Sequence, residues 1–241
     1  MPQLTFLFPL SFFTMLALEH FLPGRPQPEI RFWKVKAILF FLVRPVIAIG
    51  LPALVAQVLH RGMLLNLSQL PLAADAFLAF LADTLIFYWV HRLMHRVNWI
   101  WRWTHQLHHS AERVDVAGFA YVHPLEMVLL VTIGSCVAAL LGPSPAASFI
   151  ASYAFFLIGL FLHANLRTPR WIGYILPRPE MHAIHHQRGV HAYNYGIPVW
   201  DMLFGTFRNP KEWNGEAGFW NGASRRVGAM LLGRDVSQPP A

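Results

Sequence analysis

Apolar residues along this chain fall into five long runs separated by short polar links. They cover residues 4–18, Ala37–Leu59, Leu72–Val90, Met127–Leu141 and Ala146–Leu162. None alternates with a period of two, so the pattern predicts helices and no sheet. The first run is short for the ~20 residues a membrane crossing needs, so it extends to Leu22 or lies partly in the interface. Arg44–Pro45 interrupts the second run, where a kink and a snorkelling arginine near one interface are expected. The fourth and fifth are joined only by Gly-Pro-Ser-Pro, which demands an antiparallel hairpin and returns His163 to the side from which the fourth departed. Beyond His163 the pattern breaks into short pieces rich in proline and glycine, predicting a compact cap. From about Asn214 it is glycine-rich and weakly patterned, predicting a loosely ordered tail.

Composition turns these helices into membrane helices. Of 241 residues 55% are hydrophobic and 13% charged, and the mean hydropathy is +0.40, too apolar for a soluble domain. The expected fold class is all-α: a multi-pass helical membrane protein of about five apolar helices with a cytoplasmic, histidine-rich, metal-binding cap. It reads as one membrane domain, with N-terminal spans over 4–71, a histidine-box region over 72–208 and a tail over 209–241. The N-terminus has no basic stretch before its apolar run and no small-residue cleavage signal, so it is expected to be a span and not a removed signal peptide. The net charge of +7 does not form a basic stripe with stacking aromatics, which argues against nucleic acid. It marks topology instead. Five spans gather residues 21–36, 91–124 and 164–241 on one side with nearly all the lysine and arginine, leaving Arg61 on the other, so the positive-inside rule makes the first side cytoplasmic. Trp99, Trp101, Trp103, Trp171 and Trp200 fit an interfacial aromatic belt.

All the candidate chemistry lies on that side. His91 and His95 stand four apart, about 40° around a helix, and can converge on one ion or on two neighbouring ions. In His105, His108 and His109 the first two share a face at i, i+3, while His109 points about 100° from His108, so this box can serve two metals. His182, His185 and His186 repeat the form. A lone histidine on an apolar helix is ordinarily a satisfied core residue; three boxes are not so explained. With Cys136 the single cysteine, any metal must be held by imidazole. The first box reads His-Arg-Leu-Met-His, without the glutamate of a zinc protease, and the Glu-x-x-His pairs of soluble di-iron bundles are missing. Calcium and magnesium want oxygen ligands, and bis-histidine haem wants facing rings within the bilayer. Iron, zinc, copper and nickel remain open on ligand type.

The segments DTLIFYWVHRLMH, WRWTHQLHHS, HPLE at His123–Glu126, HAN at His163–Asn165, PEMHAIHH and NYG…WDMLFGTF, in this order from Asp83 to Phe207, resemble the fatty acid hydroxylase/sterol desaturase superfamily of membrane di-iron oxygenases. The resemblance implies O2-dependent hydroxylation or desaturation of a sterol, fatty-acyl or ether-type membrane lipid. It implies two iron ions held by His91, His95, His105, His108, His109, His182, His185 and His186, with His163 as a ninth ligand. Electrons would come from a separate ferredoxin, cytochrome or reductase. Zinc can exchange for iron during purification, since it ranks above ferrous iron in intrinsic affinity, so zinc in a purified sample would not by itself reject the oxygenase. The alternative of another class is a non-oxidative zinc protein such as a lipid hydrolase or a metal carrier. A carrier would set its ligands along a midplane path. Around the boxes, Asp83, about 12 Å before His91 along a helix, is a relay to another box or the partner of a basic group. His123 and His191 are candidates for ligand support or a lid, against a plain structural role. Asn165, Asn194 and Asp201 are candidates to orient ligand rings through the imidazole N–H that faces away from metal.

Overall fold

The computed structural model describes residues 4–59 and 63–240, so Arg61, the lone basic residue assigned to the far side, lies outside the described residues. The chain folds into helices α1 (Leu7–Phe21), α2 (Trp33–Leu59), α3 (Leu72–Arg96), α4 (Asn98–Trp103), α5 (Gln106–His109), α6 (Val116–Ala120), α7 (Pro124–Leu141), α8 (Pro145–His163), α9 (Pro179–His185), α10 (Pro198–Leu203) and α11 (Val227–Leu231). The sole β pairing among the described residues is the bridge between Gln187 and Ala217.

Four helices are long and apolar enough to cross a bilayer: Trp33–Val55 of α2, then α3, α7 and α8. The protein is a multi-pass membrane protein. The fifth apolar run becomes α1, whose 15 residues extend about 22 Å, short of the ~30 Å hydrocarbon layer. It packs along α8 and α6, with Phe12 stacked on Phe41 of α2 at 4.2 Å and Ser11 hydrogen-bonded to Tyr153 at 2.7 Å. The predicted hairpin forms. Gly142 ends α7 in the left-handed conformation (φ 61°), Ser144 Oγ accepts from Ala147 N at 3.2 Å, and Pro145 fills the first turn of α8, where its missing N–H costs nothing. Asp75 Oδ2 accepts from Ser144 N at 2.9 Å and Ser68 N donates to Gly142 O at 3.0 Å, so the links at this end of the bundle are tied together.

The opposite end carries every histidine box. There α3 and α8 finish at His91–His95 and His163, α7 begins, and α4–α6 with α9–α11 form the cap. Two expectations change. Arg44 does not snorkel away: its guanidinium lies 4.2 Å above the Phe119 ring, which also meets His163 at 5.5 Å and Phe156 at 5.4 Å. A ring face offers an arginine at membrane depth a partner that needs no water. The tail is not loose. Ala223 and Met230 are fully buried, Gly222 N donates to Glu112 Oε1 (2.7 Å), Arg102 Nε to Gly233 O (2.8 Å) and Val236 N to Gln106 Oε1 (2.7 Å). Its buried residues, Ala217, Phe219, Ala223, Met230 and Val236, follow no helical or strand period, which is why periodicity read the segment as unstructured.

Candidate metal centre

Nine histidines meet beneath the cap in two groups. His91, His95, His105, His109 and His185 form the first, and His108, His163, His182 and His186 the second; within each group the candidate ligand nitrogens all lie within 4.8 Å of one another. Helix geometry explains the allocation. Residues four apart differ by 40° around a helix and residues three apart by 60°, so the i, i+4 pair of a His-x-x-His-His box shares one group and the middle histidine turns to the other. His105 and His109 thus go to the first group and His108 to the second, whereas His182 and His186 go to the second and His185 to the first. The expected i, i+3 sharing of His105 and His108 is corrected. Each box still serves both groups, in reciprocal proportions, and the stacked rings of His109 and His186, 4.1 Å apart and 10° from parallel, join the two boxes.

The rings are aimed from behind. Nδ1–H of His91 donates to Tyr195 O (2.7 Å), that of His185 to Tyr193 O (2.8 Å), that of His163 to Gly159 O (2.7 Å) and that of His108 to Tyr121 O (3.4 Å). His105 Nδ1–H donates to Glu126 Oε1 at 2.9 Å. With the proton held on Nδ1, each of these rings turns an Nε2 lone pair inward. His91 and His105 bring theirs to 2.9 Å, and His108 and His163 to 3.1 Å. Two lone pairs facing at that distance repel unless a cation lies between them, and ligands ~2.1 Å from one ion and at right angles would stand about 3 Å apart. Nε2 of His95 and Nε2 of His185 are buried without a hydrogen-bond partner, and a bond to a metal ion would satisfy both. Burial pushes His105 and His108 down to about 3, and burial with neighbouring imidazoles lowers His109, His182, His185 and His186. Neutral imidazole is the form that binds metal. The donor set fits two divalent transition-metal ions and supplies no oxygen cage for calcium or magnesium.

Comparison with known proteins agrees with this chemistry. The family model described as fatty acid hydroxylase matches residues 76–206, over half of the chain and all nine histidines. The chain belongs to the fatty acid hydroxylase family. It is similar to the ornithine lipid hydroxylase OlsE of Rhizobium tropici (33% identity over 149 residues, 59% of this chain and 44% of the relative). It is likewise similar to the very-long-chain aldehyde decarbonylase GL1-9 of Oryza sativa subsp. indica (31% over 152 residues, 57% of each) and to sphinganine C4-monooxygenase 2 of Arabidopsis thaliana (33% over 150 residues, 58% and 56%). The chain spans about half the length of these relatives. No solved structure matches it significantly.

Within the family's matched region, the residues expected to orient ligands work less directly than foreseen. Asp201 touches no histidine; its carboxylate accepts from Tyr195 N (2.8 Å) and Gly196 N (3.0 Å), fixing the loop whose Tyr195 carbonyl holds His91. Asn194 likewise bonds backbone, to Met181 O, Arg208 O and Arg208 N. The same loop holds His191, Tyr193 and Asn194 at positive φ (42°, 69° and 49°), a strain of about 1 kcal/mol or more each that the surrounding bonds must sustain. Asn165 N donates to Glu19 Oε2 and its side chain to Arg25 O, securing the chain just after His163. His123 caps α7, accepting from Leu125 N at 3.0 Å. His191 Nδ1 lies 3.0 Å from His109 Nδ1, at the edge of the first group. Asp83 is half-buried and makes no hydrogen bond or ion pair with the described residues, so neither expected role is realised.

Three elements escaped sequence reasoning. Glu126 is buried behind His105, and the available signal was an acidic residue opening an apolar helix. The carbonyls of Tyr193 and Tyr195 carry no side-chain signature. Trp101 belongs to no belt: its ring lies 5.0 Å from His95 and 5.2 Å from His109, and with His95, Arg96, Asn98, Val190 and His191 it lines a cavity of about 300 Å³ beside the first group.

Proposed function

We propose that this protein oxidises an unactivated C–H bond of a membrane lipid, by hydroxylation or desaturation, at two iron ions held by the nine histidines. The observation that carries the reading is the pair of adjacent all-imidazole groups with inward Nε2 lone pairs, in a chain of the fatty acid hydroxylase family. Relatives described as an ornithine lipid hydroxylase and a sphinganine C4-monooxygenase support a lipid as substrate. Two iron ions would supply the activation of O2 that side-chain acids and bases cannot provide. The balance for hydroxylation is R–H + O2 + 2e⁻ + 2H⁺ → R–OH + H2O, and desaturation gives the alkene and two waters. Its electrons require a carrier protein as partner, a ferredoxin, cytochrome or reductase.

The chain's own residues set the conditions. His91, His95, His105, His109 and His185 would hold one ion and His108, His163, His182 and His186 the other. Glu126 and the Tyr121, Gly159, Tyr193 and Tyr195 carbonyls keep the Nδ1 protons facing outward. The cap, closed by the packed tail, excludes water from the second group. The spans bring the lipid to the site without its leaving the bilayer, and the excess of lysine and arginine at this end supports a cytoplasmic position for the histidines. A hydrolase is disfavoured because Glu126, the carboxylate beside the histidines, already accepts from His105 Nδ1–H through Oε1.

Lipid mass spectrometry on cells expressing wild type or His108→Ala tests the reading. A gain of about 16 Da or a loss of about 2 Da on a lipid, in wild type alone and only with O2, is the expected result. Released head groups or free acyl chains formed without O2 would establish hydrolysis in its place.

A further inference from the structure

The cap reaches below the level at which the spans end. Along α3 a hydrocarbon layer of ~30 Å covers about twenty residues, so a layer that opens at Leu72 closes near Arg92, the first basic residue of the helix. α10 lies inside that level. Trp200 Nε1–H donates to Thr84 Oγ1 at 3.0 Å, and the Phe204 ring meets those of Tyr88 at 5.1 Å and Trp89 at 4.8 Å. Measured along α3, Thr84 stands about 12 Å and Trp89 about 5 Å deeper than Arg92. α10 thus returns from the cap along the histidine-side half of a membrane span.

Its outer surface suits that depth. Val199, Met202 and Leu203, at i, i+3 and i+4, are exposed on one face of α10, and the short 3-10 helix Arg170–Tyr174 packed beside it adds exposed Trp171. Trp89 and Leu93, exposed on α3, carry the patch onto the span itself. From Ala192 to Phe207 the one charged residue is Asp201, and it is buried. Its carboxylate accepts from Tyr195 N, Gly196 N and Thr206 Oγ1–H, while its carbonyl accepts from Thr206 N and Phe207 N. Irregular backbone at membrane depth must be paired within the protein in this way, because no water is there to pair with it. Exposed Arg170 and Arg208 bound the two segments, as long basic side chains flank interfacial helices and reach the lipid phosphates. A soluble partner would have to enter hydrocarbon to cover this face. We infer that α10 and the 3-10 helix beside it form an edge of the cap immersed in the leaflet on the histidine side, with bilayer lipid as the partner that covers it. The inference holds whatever reaction the histidines perform.

Fluorescence quenching of the full chain in phosphatidylcholine vesicles tests this. Cys136→Ser gives a cysteine-free background, into which Leu203→Cys, Trp171→Cys, Val46→Cys and Glu216→Cys are placed singly and labelled with the fluorophore NBD. Val46, exposed within the span of α2, is the hydrocarbon reference, and Glu216, exposed in its ion pair with Arg188, is the water reference. Labels at Leu203 and Trp171 should be quenched by phosphatidylcholine brominated near the headgroup end of its chains, to at least about half the extent that the best-placed bromine quenches Val46. They should be shielded from iodide, which quenches the label at Glu216. Bromine near the methyl end of the chains should quench Val46 more than Leu203, which separates an interfacial edge from a full span. Metal content equal to wild type identifies the folded variants, and Met202→Cys, on the same face of α10, carries the test should Leu203→Cys not fold. Iodide quenching at Leu203 and Trp171 equal to that at Glu216, with none by brominated lipid, places the edge in water and overturns the inference. Shielding from both quenchers overturns it as well, because a second copy of the chain then covers the edge in place of lipid.

Discussion

The two histidine groups are made from the same pieces and face different surroundings. The first has five histidines, is braced by a strained loop whose carbonyls hold His91 and His185, and borders a cavity lined by Arg96, Asn98 and His191. Every histidine of the second, by contrast, is buried, and it is backed by Phe119 with Arg44 above it and by Gly159 within α8. Sharing both boxes between both groups ties these environments together, because a shift of α5 or α9 moves nitrogens in each. One group thus borders a polar cavity, while the histidines of the other are enclosed by the helices and cap around them.

The largest break in this comparison comes from the box positions. His108→Ala should strip the second group and His185→Ala weaken the first, each lowering bound metal measurably and lipid oxidation to background. Elemental analysis with metal unchanged in both would contradict the allocation. Glu126→Ala should lower affinity at the first group by about 10–100-fold through loss of the His105 brace. Glu126→Gln, whose amide oxygen still accepts from Nδ1–H, should lose less. Competition against a chelator reads the difference. Asp201→Ala leaves the buried N–H groups of Tyr195 and Gly196 without their acceptor, at about 1–3 kcal/mol each, and should loosen the first group while sparing the second.

How far the sequence revealed all this depends on which interactions are local. The boxes and the far-end hairpin were legible because their spacing and turn residues act within a few positions. Allocation inside a box was misread because 40° and 60° offsets look alike until a second helix supplies the other ligands. Glu126 could not be matched to His105, 21 residues earlier, before α7 was docked, and the Tyr193 and Tyr195 carbonyls are backbone groups whose direction depends on positive φ at non-glycine residues. The tail escaped because Phe219, Met230 and Val236 are buried by tertiary packing alone.

Smaller effects sharpen the same contrast. Burial holds His105 and His108 at about 3, whereas in the unfolded chain they titrate near 6.5, so below that pH the unfolded state takes up protons the folded state refuses. Stability of the metal-free protein should be level above about pH 6.5 and fall steadily on acidification toward 3, as thermal unfolding in detergent will record. His123→Ala should cost about 1 kcal/mol, the value of a lost helix cap, with metal content unchanged.

The central claim is that two ions share two boxes, and the metal-to-protein ratio tests it most directly when wild type, His95→Ala and His163→Ala are measured side by side. About two ions per chain are predicted for wild type. His95→Ala should weaken only the first group and His163→Ala only the second, so each variant alone keeps one tightly held ion. A wild-type ratio of one, or both variants losing the same ion, would contradict the account.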